Sequence, residues 1–308
     1  MMLLTRSRWL VAAGITALLC LVAGAAWYMW GRHSETQFDG LVITADRENT
    51  TCKILVLGDR DQQVLPRVFT SCRAVAVAGK AKEIFVLAEW VLYVLSAKGD
   101  LIREDSKLLS ADDEIFSEQR QIIFMSVSSN GEHVAFLTKE GDLSDSKFTV
   151  FIRLLAKNNE AYGHWTKISL QDIGSVTIAI APDGGSFVYG TQSNDVGIYY
   201  VNTGSTRWIG KGRNPLLSMD GSMVSCVLDD SVRIIDVSSG DARIIKAPRA
   251  HLAALSPDSK YVAVQVWSPF DFVVNSQIDI MSVSSGTVIK SFAGGLNMDS
   301  YLGWIAQP

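Results

Sequence analysis

Cysteine is scarce in this chain, with four residues in 308, which excludes a scaffold held mainly by disulfides. Cys20 lies in an apolar run and Cys226 in the apolar stretch MVSCVL, whereas Cys52 and Cys72 open the strand-like segments CKILVLG and CRAVAVAG. A Cys52–Cys72 disulfide in an oxidising compartment is one reading of that pair, and three buried thiols is the other. Basic clusters are missing too. No run of Lys and Arg occurs beyond the short amino-terminal flank, and with a net charge of -4 the chain lacks the electrostatic footprint of phosphate binding, so no nucleic-acid partner is expected.

The usual catalytic signatures are also absent. Without H-E-x-x-H, C-x-x-C or G-x-S-x-G, the zinc-protease, thiol-redox and hydrolase-elbow readings lose their support. The segment Gly204 to Lys211 superficially resembles a phosphate loop, but it has five residues between its glycines and Gly212 where Ser or Thr should follow the lysine; it reads as a strand turn. His33, His133, His164 and His251 stand in four different contexts and make a poor metal set. The acidic clusters Asp112-Asp113-Glu114, Asp142 to Asp145 and Asp229-Asp230 lack the alternating oxygen ligands of a calcium loop and read as solvated loops. No catalytic residue, cofactor or metal site is expected.

Charge is absent altogether from Trp9 to Trp30. About 20 apolar residues at a rise of roughly 1.5 Å cover a hydrocarbon core of about 30 Å, so residues 9–30 are expected to form a single transmembrane helix. A cleaved signal peptide competes, since Ala23-Gly24-Ala25 resembles a small-x-small site. The apolar run nevertheless continues through Trp27, Tyr28, Met29 and Trp30, an aromatic cluster suited to the headgroup layer, and a retained signal-anchor fits better. Arg6, Arg8 and the amino terminus before the span, against Arg32 after it, orient the amino terminus towards the cytoplasm. The organisation expected is a cytoplasmic flank at 1–8, the inner-membrane anchor at 9–30, a linker at 31–36 and a periplasmic or extracellular domain at 37–308.

That domain is built on repetition. Short apolar or alternating runs are punctuated by Asp39-Gly40, Asn130-Gly131, Asp183-Gly184, Asp220-Gly221 and Asp258-Ser259, with Gly79-Lys80 as a degenerate copy. Asn-Gly and Asp-Gly supply the positive φ values that tight turns between antiparallel strands demand. Successive turns lie 39, 52, 53, 37 and 38 residues apart, and a period near 40 with four strands per unit is a propeller signature. Insertions over Arg103 to Gln121, Glu140 to Lys147 and Lys157 to Trp165 account for the two long intervals. The first repeat begins at its second strand, GLVITA, and the carboxy terminus supplies an extra strand, SYLGWIAQ, that can complete it. The fold expected is therefore all-β, a single propeller of six four-stranded blades closed by the carboxy-terminal strand.

SPDSKYVAVQV and APDGGSFVYGT resemble the strand-turn-strand of the WD40-like and TolB-like propeller families, and SVRIIDVSSGD resembles their third strand, with Ile235-Asp236 where Trp-Asp is common. The likeness covers nearly all of residues 37–308 but lacks the Trp-Asp pair and the Gly-His dipeptide. It implies a rigid ring whose faces bind other proteins. The function expected is a membrane-tethered, non-catalytic scaffold or accessory subunit with a membrane or envelope protein partner. The alternative is a periplasmic enzyme or small-ligand binder with its site at the channel mouth, where His251, opening an inner strand, would be of interest. Exterior tryptophans Trp90, Trp165, Trp208 and Trp304 are expected to fill the space between blades. Trp267, Phe270 and Phe272, around Pro269, form an aromatic loop suited to anchor a partner.

Overall fold

The computed structural model describes residues 41–48, 51–58, 62–106, 108, 120–141, 147–155, 164–267, 276–296 and 301–306. The expected anchor at 9–30, Phe270 and Phe272, and the acidic clusters at 112–114 and 142–145 lie outside the described residues. Among the described residues no helix is long and apolar enough to cross a membrane. Among the described residues every regular element is a strand.

In chain order the strands are β1 (Leu41–Glu48), β2 (Thr51–Leu57), β3 (Gln62–Phe69), β4 (Cys72–Ala78), β5 (Glu83–Ala88), β6 (Val91–Ser96), β7 (Leu101–Asp105), β8 (Arg120–Val127), β9 (His133–Glu140), β10 (Lys147–Leu154), β11 (Thr166–Leu170) and β12 (Ile173–Ile180). They continue as β13 (Ser186–Thr191), β14 (Asp195–Tyr200), β15 (Ser205–Lys211), β16 (Arg213–Leu217), β17 (Met223–Leu228), β18 (Ser231–Asp236), β19 (Ala242–Lys246), β20 (Ala250–Leu255), β21 (Tyr261–Trp267), β22 (Ser276–Ser282), β23 (Val288–Leu296) and β24 (Tyr301–Ile305). These make six four-stranded antiparallel sheets: β4 to β7, β8 to β11, β12 to β15, β16 to β19, β20 to β23, and one in the order β24-β1-β2-β3. The innermost strands β4, β8, β12, β16, β20 and β24 touch in that succession, and β24 touches β4. The sheets therefore form a closed β-propeller.

The first sheet joins the two ends of this domain. β24 pairs antiparallel with β1, Leu41 opposite Ile305 and Ala45 opposite Tyr301, so the carboxy-terminal strand fills the innermost position that the first repeat lacks. Ring closure here is a noncovalent clasp.

The core is a set of layers between sheets, which explains why the second strand of each unit is apolar on both sides. Alternate side chains of a strand point to opposite faces. In β5, Ile84, Val86 and Ala88 pack with Ile54, Leu65 and Ile305 of the first sheet, while Phe85 and Leu87 pack with Met125, Phe136 and Phe151 of the next. The other sheets repeat the arrangement, as with Ile234, Val264 and Met281 between the last two.

Candidate functional site

The centre of the ring is where the six units converge. A cavity of about 90 Å³ lies there, room for only a few waters. Each inner strand contributes to it, through Val77, Ser126, Ile180, Leu217, Leu255 and Trp304. No carboxylate, histidine, lysine or arginine is among the residues lining it. Burial pushes the phenol of Tyr301, also in the wall, up to about 12, so that hydroxyl stays neutral and accepts a hydrogen bond from the Val77 N–H at 3.1 Å.

Several polar groups around the channel hold neighbouring sheets together. The Lys80 and Ala81 N–H groups donate to Ser129 O across the β4/β8 junction, at 2.8 and 3.1 Å. At β8/β12 the Ile180 N–H donates to Ser126 Oγ, 3.1 Å. Thr177 Oγ1 donates to Pro215 O at β12/β16, 3.3 Å, and Asn214 Nδ2 to His251 O at β16/β20, 3.0 Å. At β20/β24 the Trp304 indole donates to Ala254 O, 2.7 Å, and the Val77–Tyr301 bond completes the circuit. Every junction between inner strands thus carries a cross-sheet hydrogen bond, a rigidifying network.

The recurrent turn is structural in the same sense. Asp183, Asp220 and Asp258 accept the backbone N–H two residues on, from Gly185, Ser222 and Lys260 at 2.9, 3.0 and 3.1 Å. This is the local bonding that Asp offers a turn. Gly184 and Gly221 hold φ values of 70° and 78°, and Ser259 takes the equivalent place at 57°. A Cβ on Gly184 would fall 2.5 Å from the His133 ring, so glycine is required there for space as well as for φ. A serine two residues before the turn acid completes the device: Ser128, Ser218 and Ser256 each donate to the acid or amide oxygen and accept the N–H that opens the next strand. Sequence reasoning missed this role, although the recurring S-x-[DN] spacing signals it.

Burial alone would raise Asp220 and Asp258, but hydrogen bonds from Ser218 and Ser222, and from Ser256 and Lys260, outweigh it and hold both carboxyls below their usual range. The Ser238 hydroxyl and the Ser239 and Ser238 N–H groups lower Asp236 to about 2. Carboxyls depressed on folding contribute stability that is complete above their unfolded value, near 4, and is lost as pH falls through the folded value. Denaturant midpoints are therefore expected to hold above about pH 4 and to fall between about pH 4 and pH 2. An Asp220→Asn/Asp258→Asn variant should lose less over that interval; an equally steep loss would remove these turns as its origin.

The residues singled out from sequence are dispersed. Cys52 and Cys72 are joined by a disulfide, Cα atoms 5.7 Å apart, so of the two readings the structure takes the bridge; Cys226 is a buried free thiol that burial raises to about 12. His251 does not line the cavity: its ring stacks on Trp267, centroids 4.6 Å apart. Trp267 ends β21 half-buried. Burial pushes the His133 imidazole down. Among the described residues no three His, Cys, Asp or Glu side chains converge as a metal site would require.

Of the tryptophans expected between sheets, Trp165 packs on Phe136 and Phe151 and Trp304 is buried. Trp90 and Trp208 depart from that expectation, at 37% and 54% exposed. Trp208 lies on β15, an outer strand with fewer neighbours, and Trp90 lies in the β5–β6 turn beneath the Arg73 guanidinium, 3.6 Å from its centroid. No family model matches the chain, and no curated protein matches it either.

Proposed function

We propose that this protein is a membrane-tethered scaffold or accessory subunit, a propeller of the WD40-like or TolB-like kind held in the inner membrane by residues 9–30, with its domain in the periplasm or an equivalent exterior compartment. The observation that carries the reading is the ring centre. Its cavity is small, no carboxylate, histidine, lysine or arginine lines it, and a cross-sheet hydrogen bond spans each junction around it, so the means of recognition lies on the exterior of the ring. The Cys52–Cys72 bridge fits an oxidising compartment. The partner is another membrane or envelope protein, and exposed aromatics such as Trp90, with the Trp267 region, are contact anchors of the kind that dominate interface energetics.

Crosslinking of the full-length protein in native membranes, followed by affinity purification and mass spectrometry, tests this. A reproducible, near-stoichiometric envelope protein is the expected result, with Trp90→Ala or Trp267→Ala reducing its recovery. A clean monomer would overturn the scaffold reading and direct attention to small molecules.

A further inference from the structure

Only the first sheet takes strands from both ends of the domain. Its innermost strand, β24, is joined to it by backbone pairing and by the packing of Ile305 with Ile54 and Leu65, across a sequence separation from Leu41 to Ile305, and closing so long a loop without a covalent link costs chain entropy. Main-chain continuity attaches β1 to β3 to the neighbouring sheet at one place, the connector Thr70–Ser71 between β3 and β4. That connector is a tight turn: Ser71 has φ 49°, and Thr70 Oγ1 donates to Glu89 Oε1 at 2.7 Å. Besides this one short connector, the first sheet is held against its neighbour by the apolar layer of Ile54, Leu65 and Ile84, which is noncovalent.

The disulfide supplies the second covalent point of attachment. Cys52 is the second residue of β2 and Cys72 begins β4, so the bridge encloses the β2–β3 hairpin, with a sequence separation of 20, and ties its start to the inner strand of the neighbouring sheet. Two attachment points fix the orientation of β2, hence of β1, which pairs with it from Val42 opposite Leu57 to Glu48 opposite Thr51. That orientation presents the free edge of β1 to β24.

We propose that the Cys52–Cys72 disulfide is the latch of the ring, so that closure by the carboxy-terminal strand depends on oxidation of this pair. In latching, the two S–H bonds break and one S–S bond forms, while the S–S bond of a disulfide oxidant breaks; the two electrons and two protons pass to that oxidant, which departs as a dithiol. With the two cysteines 2% and 1% exposed, a reductant reaches the bridge only after the sheets part, so the latched ring resists reopening. In a thiol-reducing compartment the same chain keeps an unlatched first sheet.

Hydrogen exchange of the full chain, read by mass spectrometry, tests the latch by comparing wild type with Cys52→Ser/Cys72→Ser. Amides of β1 and β24 are expected to exchange about tenfold faster or more in the variant, with β12 to β19 unchanged. A Cys226→Ser control should behave as wild type. Unchanged protection of β24, or acceleration spread evenly over all sheets, would overturn the proposal. Should the double variant fail to fold, wild type reduced with a phosphine in mild urea provides the same comparison: selective opening of β1 and β24 supports the latch, and a protected β24 overturns it.

Discussion

Deleting Ser300 to Gln307 is expected to abolish cooperative unfolding of the domain or to remove more than half of its stability. The segment carries β24, whose Leu302, Trp304 and Ile305 are 1%, 5% and 0% exposed. Burying three such side chains contributes about 2 kcal/mol each on the scale of apolar transfer, a sum comparable to the roughly 5–15 kcal/mol net stability of a domain. The deletion also leaves the Val77 N–H without Tyr301 and the Ala254 carbonyl without Trp304. It uncovers the edge of β1, a template for pairing with other chains. Thermal unfolding followed by circular dichroism, with size-exclusion chromatography to detect association, measures both effects. An unchanged melting temperature in a monomeric truncation would rule out the clasp as the closure of the ring.

The clasp was legible in the sequence because it rests on a count of strands. GLVITA follows an Asp-Gly turn signal with no strand-like run of its own unit before it, and SYLGWIAQ is a strand-like run with no unit of its own, so each supplies what the other lacks. The strand quartets and their turns were legible for a similar reason, since Asp-Gly punctuation and period-two alternation are local. What the polar side chains of the inner strands do was not. Asn214 meets the carbonyl of His251, 37 positions away, and Ser126 meets the Ile180 N–H, 54 positions away; such pairs depend on the offset between sheets, which no local pattern encodes. Exposure of Trp208 was hidden because an outer strand alternates like an inner one yet lacks a neighbour on one edge. The ring centre was hidden too, since apolar inner strands give the same signal whether they surround a ligand or fill a channel.

Trp304→Ala is the single substitution expected to do most damage, costing about 3–5 kcal/mol. Trp304 sits opposite Val42 in the clasp and is buried in the wall of the central cavity. Its indole N–H reaches the Ala254 carbonyl of the neighbouring sheet at 2.7 Å, so one side chain serves both the β24–β1 pairing and the β20/β24 junction. The fit is close on the other side as well: a Cβ on Gly79 would lie 2.8 Å from the Trp304 carbonyl oxygen, so β24 sits this near the end of β4 only because position 79 is glycine. Truncation to alanine removes a bicyclic ring and strands a carbonyl acceptor, whereas Trp304→Phe keeps most of the apolar volume and removes the donor. The phenylalanine variant should therefore cost about 1–3 kcal/mol, the penalty of an unpaired buried group, and the difference between the two variants measures packing. Urea unfolding monitored by circular dichroism separates them, with midpoints ordered wild type, Trp304→Phe, Trp304→Ala. Equal losses in the two variants would mean that the ring's volume contributes nothing, and the account of Trp304 as a packed keystone of the clasp would fall.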